Sequence, residues 1–174
     1  MLLLVDTHLQ LTDIGVSKGK LLTTLKNFGK TYHVEFIFKK TDTIGTGYTN
    51  ILHMSRGEDN KKEGDRFPAV WMYQTEKLYV SSLVNGEKNK YVMTPPTYPD
   101  MSYHVIISQD SSGQYQVFFN GERVTSIKNK KTKSFPEIKL YVSDPWYSGV
   151  NSIGDVTHLV VSDVIPESGR YLYV

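Results

Sequence analysis

The stretch Tyr32-His33-Val34-Glu35-Phe36-Ile37-Phe38-Lys39 decides the fold class, because two sets of side chains alternate along it. In an extended chain, residues at every second position point to the same side of a sheet. The tyrosine, the valine and the two phenylalanines therefore share one face, and the histidine, glutamate, isoleucine and lysine share the other. This pattern predicts a β-strand that is half buried, with one face in a core.

Similar runs, rich in β-branched and aromatic residues, follow along most of the chain. Asn85-Gly86 and Asn120-Gly121 each separate two such runs, and Asn-Gly predicts a tight hairpin because both residues tolerate a positive φ. About ten strands without a convincing amphipathic helix predict an all-β chain, in which two antiparallel sheets pack face to face. The further predicted strands are 50–54, 67–73, 77–84, 90–93, 103–109, 115–119, 123–127, 138–143 and 156–162.

Length and composition limit the possible classes of protein. The chain has 174 residues, of which 39% are hydrophobic, and no repeat or linker divides it, so we expect a single domain over residues 1–174. The formal net charge of +2 is too small to require nucleic acid or a membrane surface as a partner. No apolar run approaches the ~20 residues of a membrane span. The absence of cysteine excludes disulfides and thiolate zinc sites.

The acidic residues do not form the carboxylate pair of a glycosidase. Such enzymes place two carboxylates on either side of the scissile bond, and Glu63-Gly64-Asp65 is the only Glu-x-Asp in the chain. Phe67 and Pro68 stand where a glucanase motif has its second glutamate. We therefore interpret Glu63 and Asp65 as loop residues held by an ion pair to Arg66. Since Gly-x-Ser-x-Gly, His-Glu-x-x-His and Walker motifs are also missing, we expect a protein that is not an enzyme.

Two polar loops, residues 53–66 and 144–151, are the predicted binding rim. Exposed aromatic rings stack on the apolar faces of sugars, and arginine, aspartate or asparagine binds the hydroxyl groups. The Trp146-Tyr147 pair is the best exposed aromatic candidate, whereas Trp71 fits a core position better. His53 fits either a ligand contact or a semi-buried imidazole whose hydrogen bonds are made within the protein. The predicted ligand-binding residues are His53, Arg56, Asp65, Arg66, Asp144, Trp146, Tyr147 and Asn151.

No cofactor is predicted, although oxygen ligands for calcium occur in both loops. Neither loop has the acidic density of a calcium motif, and Lys61 and Lys62 would oppose a cation in the first. The metal content therefore stays open. The candidate calcium ligands are Glu58, Asp59, Asn60 and Asp65 in one loop and Asp144 and Asn151 in the other.

Two further segments carry predictions about partners. Segment 128–133 contains four lysines, Lys128, Lys130, Lys131 and Lys133. It fits either a solvated turn that keeps a sheet edge soluble or a contact for an anionic surface such as sulfated glycan, phosphate or mineral. The C-terminal segment Arg170-Tyr171-Leu172-Tyr173-Val174 is β-prone and predicts self-association through an added edge strand.

Several segments together resemble the concanavalin A-like lectin/glucanase superfamily, in particular extracellular lectin-like and laminin-G-like domains. They are Lys18-Gly19-Lys20-Leu21-Leu22, Asn50-Ile51-Leu52-His53, Gly64-Asp65-Arg66-Phe67-Pro68-Ala69-Val70-Trp71, the strand, Asn-Gly turn and strand of 115–124, Val142-Ser143-Asp144-Pro145-Trp146-Tyr147 and Ile153-Gly154-Asp155-Val156. The resemblance extends over about residues 10–162 and implies a jelly-roll sandwich with a concave sheet, rim loops and recognition of carbohydrate or protein outside the cell. Galectin motifs are absent, because Met54-Ser55-Arg56 follows His53 and Met72 follows Trp71, so galactoside specificity is not carried over.

These observations favour a non-catalytic extracellular recognition domain that binds carbohydrate or a glycosylated partner through its rim loops. The alternative is a structural or assembly protein of an extracellular matrix, a fibre or a mineral-associated layer. In either case we expect a secreted protein whose leader is not part of this sequence.

Overall fold

The computed structural model describes residues 8–12 and 14–165. Within these ranges the chain forms thirteen β-strands and one turn of 3₁₀ helix at Val150–Ser152. The strands are β1 His8–Leu11, β2 Leu21–Phe28, β3 Tyr32–Lys40, β4 Tyr48–Ser55, β5 Ala69–Tyr73, β6 Lys77–Val84, β7 Glu87–Pro96, β8 Met101–Gln109, β9 Gln114–Phe119, β10 Glu122–Lys128, β11 Phe135–Val142, β12 Ser148–Gly149 and β13 Gly154–Ser162.

The strands form two sheets, as the alternation predicts. The six-stranded sheet has the order β1-β13-β3-β8-β9-β10, and the seven-stranded sheet has the order β2-β11-β4-β5-β6-β7, with the short β12 added in parallel to β4. Every other pairing is antiparallel. The inner faces of the two sheets pack against each other around one hydrophobic core.

The alternation along β3 has the predicted effect on burial. Tyr32, Val34, Phe36 and Phe38 are all fully buried in the core between the sheets. The opposite face of this strand is more covered than predicted, because His33 is only 1% exposed. The prediction is therefore confirmed for the face of β3 that lies in the core, whereas the opposite face is partly buried and not fully exposed to solvent.

Both Asn-Gly hairpins are confirmed. Asn85-Gly86 joins β6 to β7, and Asn120-Gly121 joins β9 to β10. All four residues have a positive φ, between 51° and 84°, which is the conformation that the tightest hairpin turns require.

The main differences from the predicted strands are at the sheet edges. The edge strand β2 was not predicted, because only Leu25 and Phe28 of its residues are buried and the alternation is therefore weak. The other edge strand of this sheet, β7, extends through Thr94, beyond the end of the predicted strand 90–93. Thr94 Oγ1 accepts a hydrogen bond from the backbone N–H of Leu78 at 3.1 Å, so pairing to β6 continues through this side chain.

A buried lysine fixes the end of β3 to two loops. Lys40 is fully buried, and its Nζ donates hydrogen bonds to the Glu76 carboxylate and to the backbone carbonyl of Thr97, the latter at 3.3 Å. The second carboxylate oxygen of Glu76 accepts the N–H of Ile44 at 3.0 Å. The charge of Lys40 is therefore paired inside the protein, as a buried charge requires.

On the outer face of the six-stranded sheet, Glu35 lies between two histidines. His33 Nε2 is 2.9 Å from one carboxylate oxygen and His104 Nε2 is 2.6 Å from the other. Burial alone would raise the pKa of Glu35. The hydrogen bonds from His104 and His33, together with their charges, outweigh it and lower the pKa from 4.5 to about 2.

This pKa predicts a loss of stability in acid. Because the folded pKa is below the unfolded one, the Glu35 contribution is complete above pH 4.5 and is lost as the pH falls towards about 2. The shift corresponds to at most about 3 kcal/mol, and solvent screening of this partly exposed group reduces the contribution to about 1 kcal/mol. Urea unfolding between pH 5 and 2 checks it. Glu35→Gln should reduce the fall in the free energy of unfolding at acid pH, and the exposed control Glu122→Gln on β10 should not. An equal fall in the wild type and both variants would contradict the prediction.

Candidate functional site

The outer face of the seven-stranded sheet carries a row of aromatic rings. Along β5, Val70 and Met72 point into the core, so Trp71 and Tyr73 lie on the opposite face. Trp71 is only 4% exposed, but its burial comes from loops that cover this outer face and not from the core between the sheets. The prediction of a buried Trp71 is therefore right about its exposure and wrong about its place.

The neighbouring strands extend the aromatic row. Tyr48 on β4 stacks on Tyr73 with ring centroids 4.5 Å apart. Tyr79 on β6 lies opposite Trp71 in the strand register, and its ring is 6.0 Å from that of Tyr91 on β7. Rings therefore follow one another across four adjacent strands.

Two loops close over this face, the β4–β5 loop (residues 56–68) and the β11–β12 loop (residues 143–147). From the first loop, the Arg66 guanidinium lies over the Trp71 ring, 4.4 Å from its centroid, which is a cation–π contact. From the second, the Tyr147 ring meets Trp71 edge to face at 5.7 Å. The two loops meet above the indole.

Strands and loops together form a cavity of about 300 Å³, which we call the aromatic cleft. Tyr91 and Tyr48 are 55% and 42% exposed, so two of its rings offer wide faces to solvent. The lining residues are Tyr48, Arg66, Trp71, Tyr79, Ser81, Asn89, Tyr91 and Tyr147.

A hydrogen-bond network fixes the polar side of the cleft. Arg66 Nη2 donates to Asp59 Oδ1 at 2.9 Å and to the Tyr147 hydroxyl at 3.1 Å, and that hydroxyl donates to Asp59 Oδ2 at 2.9 Å. Arg66 Nη1 donates to Asn89 Oδ1 at 2.5 Å, which also accepts a hydrogen bond from Ser81. Burial and the Asp59 carboxylate raise the pKa of Tyr147 to about 12, so its hydroxyl stays protonated as a donor.

Beneath the loops, His53 forms a buried pair with Asp144. His53 Nδ1 is 2.6 Å from Asp144 Oδ2, and His53 Nε2 is 2.6 Å from the backbone carbonyl of Asp65. Both side chains are fully buried. Because a carbonyl oxygen only accepts hydrogen bonds, Nε2 must donate, and a further proton lies between Nδ1 and Oδ2.

This pair positions the Tyr147 ring. The second oxygen of Asp144 accepts the backbone N–H groups of Trp146 and Tyr147, each at 2.9 Å. The N–H of Asp144 donates to Asn50 Oδ1 at 3.0 Å, which ties the β11–β12 loop to β4. His53 and Asp144 therefore shape the aromatic cleft from below.

The structure separates the predicted ligand-binding residues into groups. Arg66 and Tyr147 line the aromatic cleft. His53, Asp65 and Asp144 are at most 1% exposed, and they hold the two loops together from the interior. The expectation that these three side chains contact a ligand is therefore corrected: of the alternatives for His53, the internally hydrogen-bonded imidazole is the observed one, in a fully buried position.

The other three predicted residues lie outside the cleft lining. Trp146 packs edge to face against His53, with ring centroids 5.1 Å apart. The Arg56 guanidinium lies over the ring of Phe135 at 5.3 Å, and its Nη1 donates to the Glu63 carbonyl at 3.4 Å. The backbone of Asn151 belongs to the 3₁₀ turn.

The predicted ion pair of Glu63 and Asp65 with Arg66 is wrong. Glu63 pairs with Lys133, and Arg66 pairs with Asp59. One oxygen of Asp65 instead accepts the backbone N–H groups of Lys61 and Lys62 at 2.9 and 2.6 Å, an arrangement that closes the loop on itself.

Only Arg66 and Tyr147 of the cleft lining were among the predicted ligand-binding residues. The six that were not are Tyr48, Trp71, Tyr79, Ser81, Asn89 and Tyr91. Ser81 and Asn89 are polar residues of strands β6 and β7, which have no motif of their own. A signal was present in the alternation, because Tyr79 and Ser81 fall on the face opposite the core-facing Leu78 and Val80.

The lysine loop packs around Asn129, which is 3% exposed. Asn129 Oδ1 accepts the N–H groups of Asn85 and Lys131, and its Nδ2 donates to Gln109 Oε1 at 2.8 Å. Lys128 donates to the carbonyl of Ser112, so Lys128 and the Glu63-paired Lys133 already have protein partners. Contact with an anionic surface stays a prediction, carried mainly by Lys130 and Lys131.

The carboxylates proposed for calcium have protein donors around them. Both oxygens of Asp59 and of Asp144 accept hydrogen bonds, and Glu58 pairs with Lys61. Across residues 8–12 and 14–165, no group of three or more His, Cys, Asp or Glu side chains is arranged to hold a metal ion. Calcium binding stays a prediction.

Two predictions about partners concern other parts of the chain. Residues 170–174, the predicted strand for self-association, lie outside the described residues. Over the part of the chain that the structure describes, no helix has the length and apolar character needed to cross a membrane.

Comparison with known proteins gives structural matches only. No family model and no curated protein matches the chain. The CBM40 module of the Ruminococcus gnavus IT-sialidase, solved with α2,3-sialyllactose, matches with a TM-score of 0.59 at 12% identity, over 92% of this chain and 94% of that one. A SAP-like pentraxin from Limulus polyphemus matches with a TM-score of 0.50 at 16% identity, over 90% and 73%.

A third match is to a much longer protein. The Trypanosoma rangeli sialidase has a TM-score of 0.55 at 13% identity, and the match covers 76% of this chain and 20% of that one. Identities this low carry the fold and not the function. The chain thus has the jelly-roll β-sandwich fold of the concanavalin A-like type.

Proposed function

We propose that this protein is a non-catalytic carbohydrate-binding domain that acts outside the cell and that binds its ligand in the aromatic cleft. The observation that carries the proposal is the cleft itself, in which exposed rings and a fixed polar network face the same space. Sugars have apolar C–H faces and polar edges, and this combination of groups matches both.

The rings supply the apolar part of the site. The faces of Tyr91, Tyr79 and Tyr48 border a cavity of about 300 Å³, which is the volume of a small ligand site. Exposed tyrosines that are already fixed by neighbouring rings lose little side-chain freedom when a ligand binds. Stacking on them is therefore favourable.

Asn89 supplies directional hydrogen bonds. Its Oδ1 accepts from Arg66 and Ser81, which fixes the orientation of the amide. Its Nδ2 has no hydrogen-bond partner among the described residues, and Asn89 is exposed. The amide N–H groups are therefore free to donate to the oxygens of a sugar.

Two further observations support the proposal. No aspartate or glutamate of residues 8–12 and 14–165 lines the cleft, so this part of the chain does not place there the carboxylate pair that glycoside hydrolysis uses. The Ruminococcus gnavus module, which has the same fold over nearly its whole length, was solved with a bound sialyllactose. A sandwich of this shape is therefore a suitable scaffold for a glycan site.

The test is a glycan-array screen followed by titration calorimetry on the best ligand. Tyr79→Ala and Tyr91→Ala should each weaken binding at least about tenfold, equivalent to 1.4 kcal/mol. Tyr98→Ala is the matched control, because Tyr98 is 61% exposed and does not line the cleft. The proposal fails if no saccharide binds, or if all three variants bind as the wild type does.

A further inference from the structure

Among the residues that the structure describes, Arg66 is the only charged one that lines the aromatic cleft. Arginine binds a carboxylate, such as that of an acidic sugar, most strongly when it presents two parallel N–H groups to it. Whether the guanidinium has free N–H donors and an uncompensated charge therefore decides whether acidic or neutral saccharides fit. This question rests on the proposed function.

The donors of Arg66 are almost all in use. A guanidinium has five N–H groups. Four hydrogen bonds engage them, from Nε to the Asp59 carbonyl, from Nη1 to Asn89, and from Nη2 to both the Asp59 carboxylate and Tyr147. One N–H of Nη1 remains, so Arg66 has no free pair of donors for a carboxylate.

The charge of Arg66 is also compensated. The Asp59 carboxylate accepts from it at 2.9 Å, with Arg66 12% and Asp59 30% exposed. An incoming carboxylate would meet a neutral pair whose acidic member repels it. It would also lose its hydration without gaining an ionic partner, which is unfavourable.

The lysines near the cleft have partners of their own. Lys88 Nζ donates to the backbone carbonyls of Asn60 and Lys61 at 3.1 and 3.2 Å. Lys90 lies 3.3 Å from the carboxylate of Glu87. Neither of them lines the cleft.

We infer that the aromatic cleft binds neutral saccharides and discriminates against acidic ones. The groups left open to the ligand are the rings of Tyr48, Tyr79 and Tyr91 and the Asn89 amide, all of which are uncharged. Arg66 acts as a positioning residue that holds Asn89 and covers Trp71.

The experiment compares two ligand panels by calorimetry on the full chain. The neutral panel is lactose with cello-, malto- and chito-oligosaccharides, and the acidic panel is sialyllactose with galacturonate and chondroitin oligosaccharides. We expect the best neutral ligand to bind at least about tenfold more tightly than the best acidic one, with little dependence on salt. Tighter binding of an acidic ligand, weakened by salt, would overturn the inference and leave the proposed function standing. Binding of neither panel would overturn both.

A variant tests whether the Asp59–Arg66 pair causes the discrimination against acidic saccharides. Asp59→Ala removes the compensating carboxylate and frees one Nη2 donor of Arg66, which adds to the N–H of Nη1 that is already open. Affinity for sialyllactose should therefore rise at least about fivefold relative to lactose. Glu122→Ala is the control, because it removes the same charge from an exposed position on the other sheet. Asp59→Asn, which keeps the shape of the side chain, is the fallback if the alanine variant unfolds, and it should change the preference in the same direction. An unchanged preference in a folded Asp59 variant would contradict the role given to this pair.

Discussion

Replacing His53 with alanine is expected to lower the free energy of unfolding by about 3–5 kcal/mol, because Asp144 would remain as a buried charge without its partner. Both side chains are fully buried, and the pair is 2.6 Å apart. The loss should also weaken saccharide binding, since Asp144 positions Tyr147 in the aromatic cleft. Guanidinium unfolding followed by circular dichroism measures the first effect, and calorimetry the second.

The control for this experiment is His158→Asn. His158 is exposed and has a φ of 50°, a conformation that asparagine adopts readily, so the change should cost less than about 0.5 kcal/mol. Asp144→Ala should resemble His53→Ala, because each truncation removes one member of the same pair. A cost below about 1 kcal/mol for both variants would show that the pair is not the support that its geometry indicates.

Glu76→Ala is expected to have an effect of similar size. It leaves the Lys40 ammonium fully buried, with the Thr97 carbonyl as its remaining partner, and it removes the acceptor of the Ile44 N–H. Removal of one partner from a buried ion pair costs about 3–5 kcal/mol. Unfolding by denaturant at neutral pH measures it.

Removing the lysine instead of the glutamate should lower the free energy of unfolding less. Lys40→Met fills the same space without a charge, and Glu76 is 26% exposed and can be hydrated, so we expect a cost below about 1.5 kcal/mol. Glu137→Ala is the matched control, because its pair with Lys26 is exposed at both ends and such pairs contribute little. If Lys40→Met lowers the free energy of unfolding as much as Glu76→Ala does, the different burial of the two side chains does not explain the effect of Glu76→Ala.

The fold could be predicted from the sequence because its information is local. Alternation along β3 and the two Asn-Gly turns depend on residues that are neighbours in the chain, and the core-facing side of β3 and both turns are confirmed. The edge strand β2 was not predicted because it buries only two side chains, so its apolar pattern is incomplete.

The site was only partly predictable, because it is assembled from distant segments. Arg66 reaches Asn89 and Tyr147, which are 23 and 81 residues away in the chain. The types of residue pointed to the two loops that cover the aromatic cleft, but the buried position of His53 depends on its pairing across 91 residues with Asp144. Long-range hydrogen bonds of this kind leave no spacing pattern in a single sequence.

The chain has two tryptophans, and His53 touches both, Trp71 at 5.3 Å and Trp146 at 5.1 Å between ring centroids. One indole forms the floor of the aromatic cleft, and the other lies beyond its edge. Trp71 can therefore report on binding: intrinsic fluorescence should change when a ligand fills the aromatic cleft beside this indole and alters its surroundings. Trp146→Phe would assign that emission to a single fluorophore without any added dye.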